Sequence, residues 1–368
     1  MLPARVAADW GIMARTWMGT QVSNLGSTLL LLGAIVLGAL LGSLAPGIGS
    51  FAGSAIDYVV LTLVFLLFFE MRIEAIVRAW GNARFILIAW LTNFVAIPLI
   101  GYAIASIVLN GKPLFFTGLI IYFMAPCTDW FLGFTRMARG NTSLGAALLP
   151  INMASQLLLY PVYLRLFTSE EIVSRSRDLS GTLIEWFLVP FTLAILLHQA
   201  LRRALPVKRF ETTRETAGRA TPFVIAVLVF LIFAANIGTI REHLSTFALI
   251  LLAVFLFFVT TYLLGEAISR FAKLDYPEHA LFTMTTAARN APLMLGVTTI
   301  ALPDQPLVYA ALIIGMLVEF PHLTVLKHLL LRRRETGERI GRLETDPVLV
   351  ASGQLLRAGN GDHSPFTR

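Results

Sequence analysis

The stretch APCTDWFLGF, residues 125–134, sets a proline, the chain's one cysteine, a threonine and a carboxylate side by side in an otherwise apolar run. Pro126 has no N–H to give and clashes with the preceding turn, so a helix here must kink or unwind. Cys127 offers a soft ligand suited to thiophilic ions and metalloids; equally, a lone membrane cysteine serves as a small apolar filler. A second oily run is interrupted by TTAARNAP, residues 285–292, which brings Arg289, Asn290 and Pro292 together. Backbone groups released by such breaks must find partners in a bilayer, which confines the breaks to protein-buried segments or to the wall of a wet cavity. Intramembrane charge is costly and points to function. Asp129 and Arg289 are therefore expected near each other. They would form a structural ion pair, a proton-exchanging carboxylate beside a fixed cation, or a pair offsetting the dipoles of broken helices. Alternatively, Arg289 is the counter-charge of an anionic cargo. Arginine stays protonated, so a proton carrier at this place would have to be Asp129.

Further polar residues lie in apolar sequence. Asn152, followed by Pro161, and Glu319, followed by Pro321, occupy comparable places in two later runs, and Glu319 reads as a cavity or supporting residue. Asp57, Glu70, Glu185, Glu266 and His322 fall near predicted helix ends, where snorkelling to the interface is expected. GALLG, residues 38–42, has the small-residue spacing of a close helix-packing face. No metal cluster, phosphate-binding glycine loop or nucleophile triad is visible, so an enzyme is not expected.

These residues need elements to hold them, and composition names the class. The chain is 57% hydrophobic and 14% charged, with a mean hydropathy of +0.75, against about 25% charged residues in soluble domains. Runs of about 20 apolar residues recur along it, so the class is an all-α polytopic membrane protein. Ten spans are predicted, at about 25–44, 54–70, 85–109, 114–138, 142–167, 181–204, 221–238, 246–269, 279–301 and 306–330. Residues 1–24 form an N-terminal arm without the pattern of a removable signal peptide. Residues 332–368 read as a solvated, disordered tail. One cysteine excludes an internal disulfide.

The net charge of +7 marks loops rather than a nucleic-acid face. With ten spans, 23 of the 29 Lys and Arg fall on one side, five on the other and Arg289 within a span. The positive-inside rule then places both termini in the cytoplasm, in a plasma (inner) membrane. The polar stretch RRALPVKRFETTRETAGR, residues 202–219, is expected to be a loop between the sixth and seventh spans, and it divides the spans into five and five, 25–167 and 168–331. An odd number per half makes any repeat inverted. The breaks at Pro126 and Pro292 fall at matching positions of the halves, which is the sequence pointer to a transporter's binding site.

APCTDWFLGFTRMARGN, followed by Asn152, resembles the fourth and fifth helices of the arsenite efflux permeases in the bile acid:sodium symporter superfamily. Ala125 to Thr128, Arg139–Gly140 and Asn152 match that family's APCT motif, RG turn and following asparagine. ARNAPLMLGV and GMLVEFP resemble its ninth and tenth helices through Asn290, Glu319 and Pro321, and GALLGSLAPG resembles the end of its first. The resemblance implies two inverted five-helix repeats. A panel of helices 1, 2, 6 and 7 would face a core of helices 3–5 and 8–10, with broken helices 4 and 9 crossing at the transport site. It implies that Cys127 is the key functional residue, with Thr128, Asn152, Asn290 and Glu319 shaping a site for a small molecule, to which the residue reading adds Arg289, and that arsenite leaves in exchange for protons. Two departures stand out. Pro292 replaces the glutamate of an NNFE-like pattern, and Thr285 and Arg289 replace a Glu and a Gln that serve sodium in the bile-acid branch. A cation at a sodium ligand's place favours a proton as coupling ion, with Asp129 replacing the missing glutamate, and no other cofactor is expected. The expectation is a proton-coupled efflux permease for arsenite or a related metalloid oxyacid. The alternatives are an organic-anion carrier using Arg289 as counter-charge, and a non-transporting membrane sensor.

Overall fold

The computed structural model describes residues 26, 28–70, 82–128, 130–168 and 189–345. Among these the protein is all-helical. In chain order the helices are α1 Thr28–Leu44, α2 Pro46–Glu70, α3 Ala83–Val108, α4 Pro113–Met124, α5 Trp130–Met137, α6 Thr142–Phe167, α7 Val189–Ala204, α8 Val207–Arg241, α9 Leu244–Phe271, α10 Tyr276–Ala287, α11 Ala291–Ala301 and α12 Pro306–Thr345. Six described helices are long and apolar enough to cross a membrane: α2, α3, α6, α8, α9 and α12. Large apolar side chains such as Leu37, Tyr58, Ile107, Leu158 and Phe255 lie exposed along the helices, as a lipid-facing surface requires.

Two packed groups form. In the first, α2 lies along α7 and α8, and α1 presses on α8 through its small residues. A β-carbon at Gly38 or Gly42 would run into the backbone carbonyl of Phe230 or Ala234, so the GALLG stretch is a close helix seam. In the second group α4 lies along α12, α9 packs on α3, α10 and α12, and α11 lies against α12. Gly118 of α4 meets the Val308 carbonyl of α12 in the same close manner. The groups touch through α11 on α2 and α12 on α8.

Several loop ends gather at one end of the bundle. The Asn82 side chain donates to Glu278 (2.6 Å), Arg84 to the Ala272 carbonyl (2.8 Å) and Tyr276 to the Ala138 carbonyl (2.8 Å), while the Asn141 N–H donates to the Pro277 carbonyl (2.9 Å). Arg139 takes a positive φ of 58° in this turn.

Three expectations change. The polar stretch 202–219 is mostly helix: α7 and α8 are joined through Leu205 and Pro206 alone. Its helical part is solvated and held by local contacts, among them the Arg214–Glu211 pair and threonine hydroxyls bonded one turn back, so its start needs no apolar stripe. Residues 332–345, expected to be tail, continue α12. Glu266 does not snorkel: it is buried, its carboxylate lies 2.8 Å from His279 Nε2 and it pairs with Arg333, which ties α9 to α10 and α12. Glu185 and the Glu70 side chain lie outside the described residues.

Candidate functional site

The two interruptions meet. Pro126 removes the next helical donor and pushes the residue before it out of the helical region. α4 ends at Met124, and Ala125 is extended at φ −106°, ψ 104°. α10 ends at Ala287 and Ala288 is extended at φ −77°, ψ 138°. Pro126 and Arg289 then form an antiparallel bridge. The Cys127 N–H donates to the Ala288 carbonyl (3.0 Å) and the Asn290 N–H to the Ala125 carbonyl (2.8 Å). Each break satisfies backbone groups of the other, as non-helical backbone at membrane depth must. Pro292 does not itself make the second break. It sits in the first turn of α11, where its missing N–H costs nothing; the extended residues precede it.

Arg289 is fully buried. Its Nη1 donates to the Phe123 carbonyl (2.9 Å), and its Nη2 to the carbonyls of Thr286 (2.6 Å) and Thr285 (3.1 Å) and to Asn93 Oδ1 (3.3 Å). Three of these acceptors belong to the last turns of α4 and α10, which have no helical donors left for them and carry the partial negative charge of helix C-termini. The guanidinium also lies 5.7 Å from the Phe257 ring centroid, within reach of a cation–π attraction.

The other pole is built from the residues that open α5 and α11. Asn290 donates through Nδ2 to Thr128 Oγ1 (3.1 Å), which links the two breaks by side chains as well. Glu319, buried on α12, accepts the Arg289 backbone N–H (3.0 Å). Glu319, Pro292 and Trp130 also line a space of about 10 Å³ facing Leu31 of α1 and Ile225 of α8. That is about the size one water needs, so nothing larger fits there in this arrangement. A larger cavity of about 330 Å³ lies toward the α1–α2 turn. Asp57, Asn236, Thr299, Asp304 and Tyr309 line it, and Asn236 departs from helical geometry at φ −125°, kinking α8 beside it.

Pro126, Thr128, Arg289, Asn290 and Glu319 are thus brought together, with Pro292 beside Glu319. Cys127 is on the crossing through its backbone, while its side chain is 1% exposed and belongs to an apolar cluster with Phe85, Phe131, Leu148 and Ala287. Asn152 is buried on α6, and its Nδ2 has no hydrogen-bond partner. Asp129 lies outside the described residues. Two contributors were not singled out in the sequence. Asn93 stands in a π-helical stretch of α3, Thr92–Ala96, a distortion frequent at functional sites; a lone amide in the run LTNFVAIP is the signal for it. Phe257 is one of many aromatics in α9 and carries no such signal.

A family model, the Sodium Bile acid symporter family, matches residues 58–270, more than half of the chain. The match includes the first break and ends before the second. Compared with curated proteins, the chain finds no match. The helices of membrane-spanning length and the family match agree, and the chain is a multi-pass membrane protein that belongs to the sodium bile acid symporter family.

Proposed function

We propose that this protein is a secondary active transporter that handles its cargo at the crossed breaks. The observation that carries the reading is the antiparallel pairing of Pro126 with Arg289. It joins two interrupted helices by backbone bonds and surrounds them with the rare polar side chains of an apolar chain. We read α4–α5 and α10–α11 as the fourth and ninth of ten spans in two inverted halves. The packing of α1, α2, α7 and α8 apart from the rest supports a panel and a core. The joining of residues 82–84, 138–141 and 272–278 at one end supports a common basic face, read as cytoplasmic, with both termini on that side of a plasma (inner) membrane. The nearly closed space at the crossing and the larger cavity toward the opposite end suit a carrier resting closed to the basic side.

The cargo we propose is arsenite or a related metalloid oxyacid, exported against protons. Cys127 supplies the soft ligand, and because its N–H is one of the two bonds across the breaks, a shift of the crossing would bring the thiol into play. The N-termini of α5 and α11 favour an oxygen-rich or negative solute. The organic-anion alternative would have to use Arg289 differently, since its terminal nitrogens already donate to four protein oxygens and only Nε is without a partner among the described residues. Asp129 and Glu319 are the candidate proton carriers. The test is arsenite resistance in a sensitive host. Cys127→Ser is expected to abolish it with the protein still in the membrane, and full resistance in that variant would remove the metalloid mechanism. In vesicles, loss of pH-gradient dependence in Asp129→Asn or in Glu319→Gln would identify the carrier; retention in both would remove proton coupling through either.

A further inference from the structure

Four oxygens converge on the Arg289 guanidinium: the carbonyls of Phe123, Thr285 and Thr286 and the side-chain oxygen of Asn93, at 2.6–3.3 Å. None of these four, among the described residues, is a carboxylate; the nearest described one, Glu319, accepts the Arg289 backbone N–H instead. Uncharged oxygen ligands at the negative ends of two helices are the surroundings that hold a desolvated monovalent cation, and the face of Phe257 adds attraction of the same sign. The side chain is completely buried. We propose that this cage is a monovalent-cation site which the chain occupies with its own side chain. Arg289 is a tethered ion that holds the ends of α4 and α10 together, so the crossing forms without a free sodium ion. Its two terminal nitrogens donate into the cage, while Nε is buried without a hydrogen-bond partner among the described residues. The guanidinium is permanently charged, so the occupant neither leaves nor titrates during a cycle. The consequence for coupling rests on the transporter reading; the cage itself does not.

The test reads stability and uses no cargo. Purified full-length Arg289→Ala, in nanodiscs, is expected to melt about 5 °C or more below the native protein, because it leaves a cage of desolvated carbonyls empty. Millimolar guanidinium chloride is expected to restore part of that loss, whereas urea, of the same planar shape without charge, is not. Sodium chloride is expected to restore less than guanidinium and more than choline chloride, whose cation does not fit. The native protein should gain nothing from guanidinium and melt alike in sodium and choline. Equal effects of guanidinium and urea on the variant, or stabilisation of the native protein by sodium over choline, would overturn the proposal. If Arg289→Ala cannot be recovered with any ion, Arg289→Lys and Arg289→Met decide: a cation requirement predicts folded lysine and unfolded methionine variants, and equal recovery overturns it. A failed transport assay beside a guanidinium-rescued cage would count against the transporter reading alone.

Discussion

Glu319 gives the sharpest mutational test of how the crossing is held. Its Oε1 accepts the backbone N–H of Arg289 at 3.0 Å inside a fully buried segment, and no helix partner exists for that N–H because Arg289 stands in the bridge. Removing the acceptor leaves a buried donor unsatisfied, at about 1–3 kcal/mol. Glu319→Gln keeps an oxygen at the same reach and should lose no more than about 1 kcal/mol. Glu319→Leu fills the volume but offers no acceptor, and should lose about 2–3 kcal/mol. Glu319→Ala should lose at least as much, with a void added. The assay is unfolding of the purified protein in one detergent, followed by tryptophan fluorescence. The ranking expected is native, then Gln, then Leu and Ala together or Ala last. A leucine variant as stable as the glutamine variant would show that packing alone holds Glu319 and would refute the hydrogen-bond reasoning.

Other expectations follow from named contacts. Gly42→Leu should separate α1 from α8, since even a β-carbon overlaps the Ala234 carbonyl; trypsin sensitivity of the purified protein should rise, and unchanged resistance would deny the close seam. Glu266→Ala should destabilise the protein by about 1–2 kcal/mol, because buried His279 loses its neighbour while Arg333 and Arg270, both exposed, stay solvated; a loss below about 0.5 kcal/mol would place the cluster among ordinary surface positions. Asn93→Ala should lower thermal stability by about 1–2 kcal/mol through a lost acceptor for Arg289, and Asn93→Asp should lower it less; equal losses would deny Asn93 that part in the cage.

The breaks were legible because proline and charge are conspicuous in oily sequence, and Ala125 to Thr128 and Arg289 to Pro292 mark them within a residue or two. What each charge does was not legible. Asp129, expected near Arg289, lies outside the described residues; the described partners of the guanidinium are mostly carbonyls, and a backbone carbonyl has no signature in sequence. Beside Arg270 on its own helix, Glu266 has partners from α10 and α12, so its place near a helix end suggested snorkelling when its neighbours bury it. The basic stretch around Val207–Arg219 was read as loop because a solvated helix segment shows no apolar stripe. Asn93 could have been picked out as the lone amide of its run; Phe257 could not.

The most direct measurement is flux through the interface between the crossing and the first helix group. Ile225 on α8 and Met316 on α12 line the small space there, so cysteines at both can be joined by a short, reducible cross-linker in proteoliposomes. Labelled arsenite and a labelled bile acid serve as separate cargo. Transport of one of them is expected, lost on cross-linking and regained on reduction, with Cys127 present throughout and each single cysteine as control. Flux that persists in fully cross-linked protein, or the absence of flux for both solutes in native protein, would contradict a carrier working at the crossed breaks.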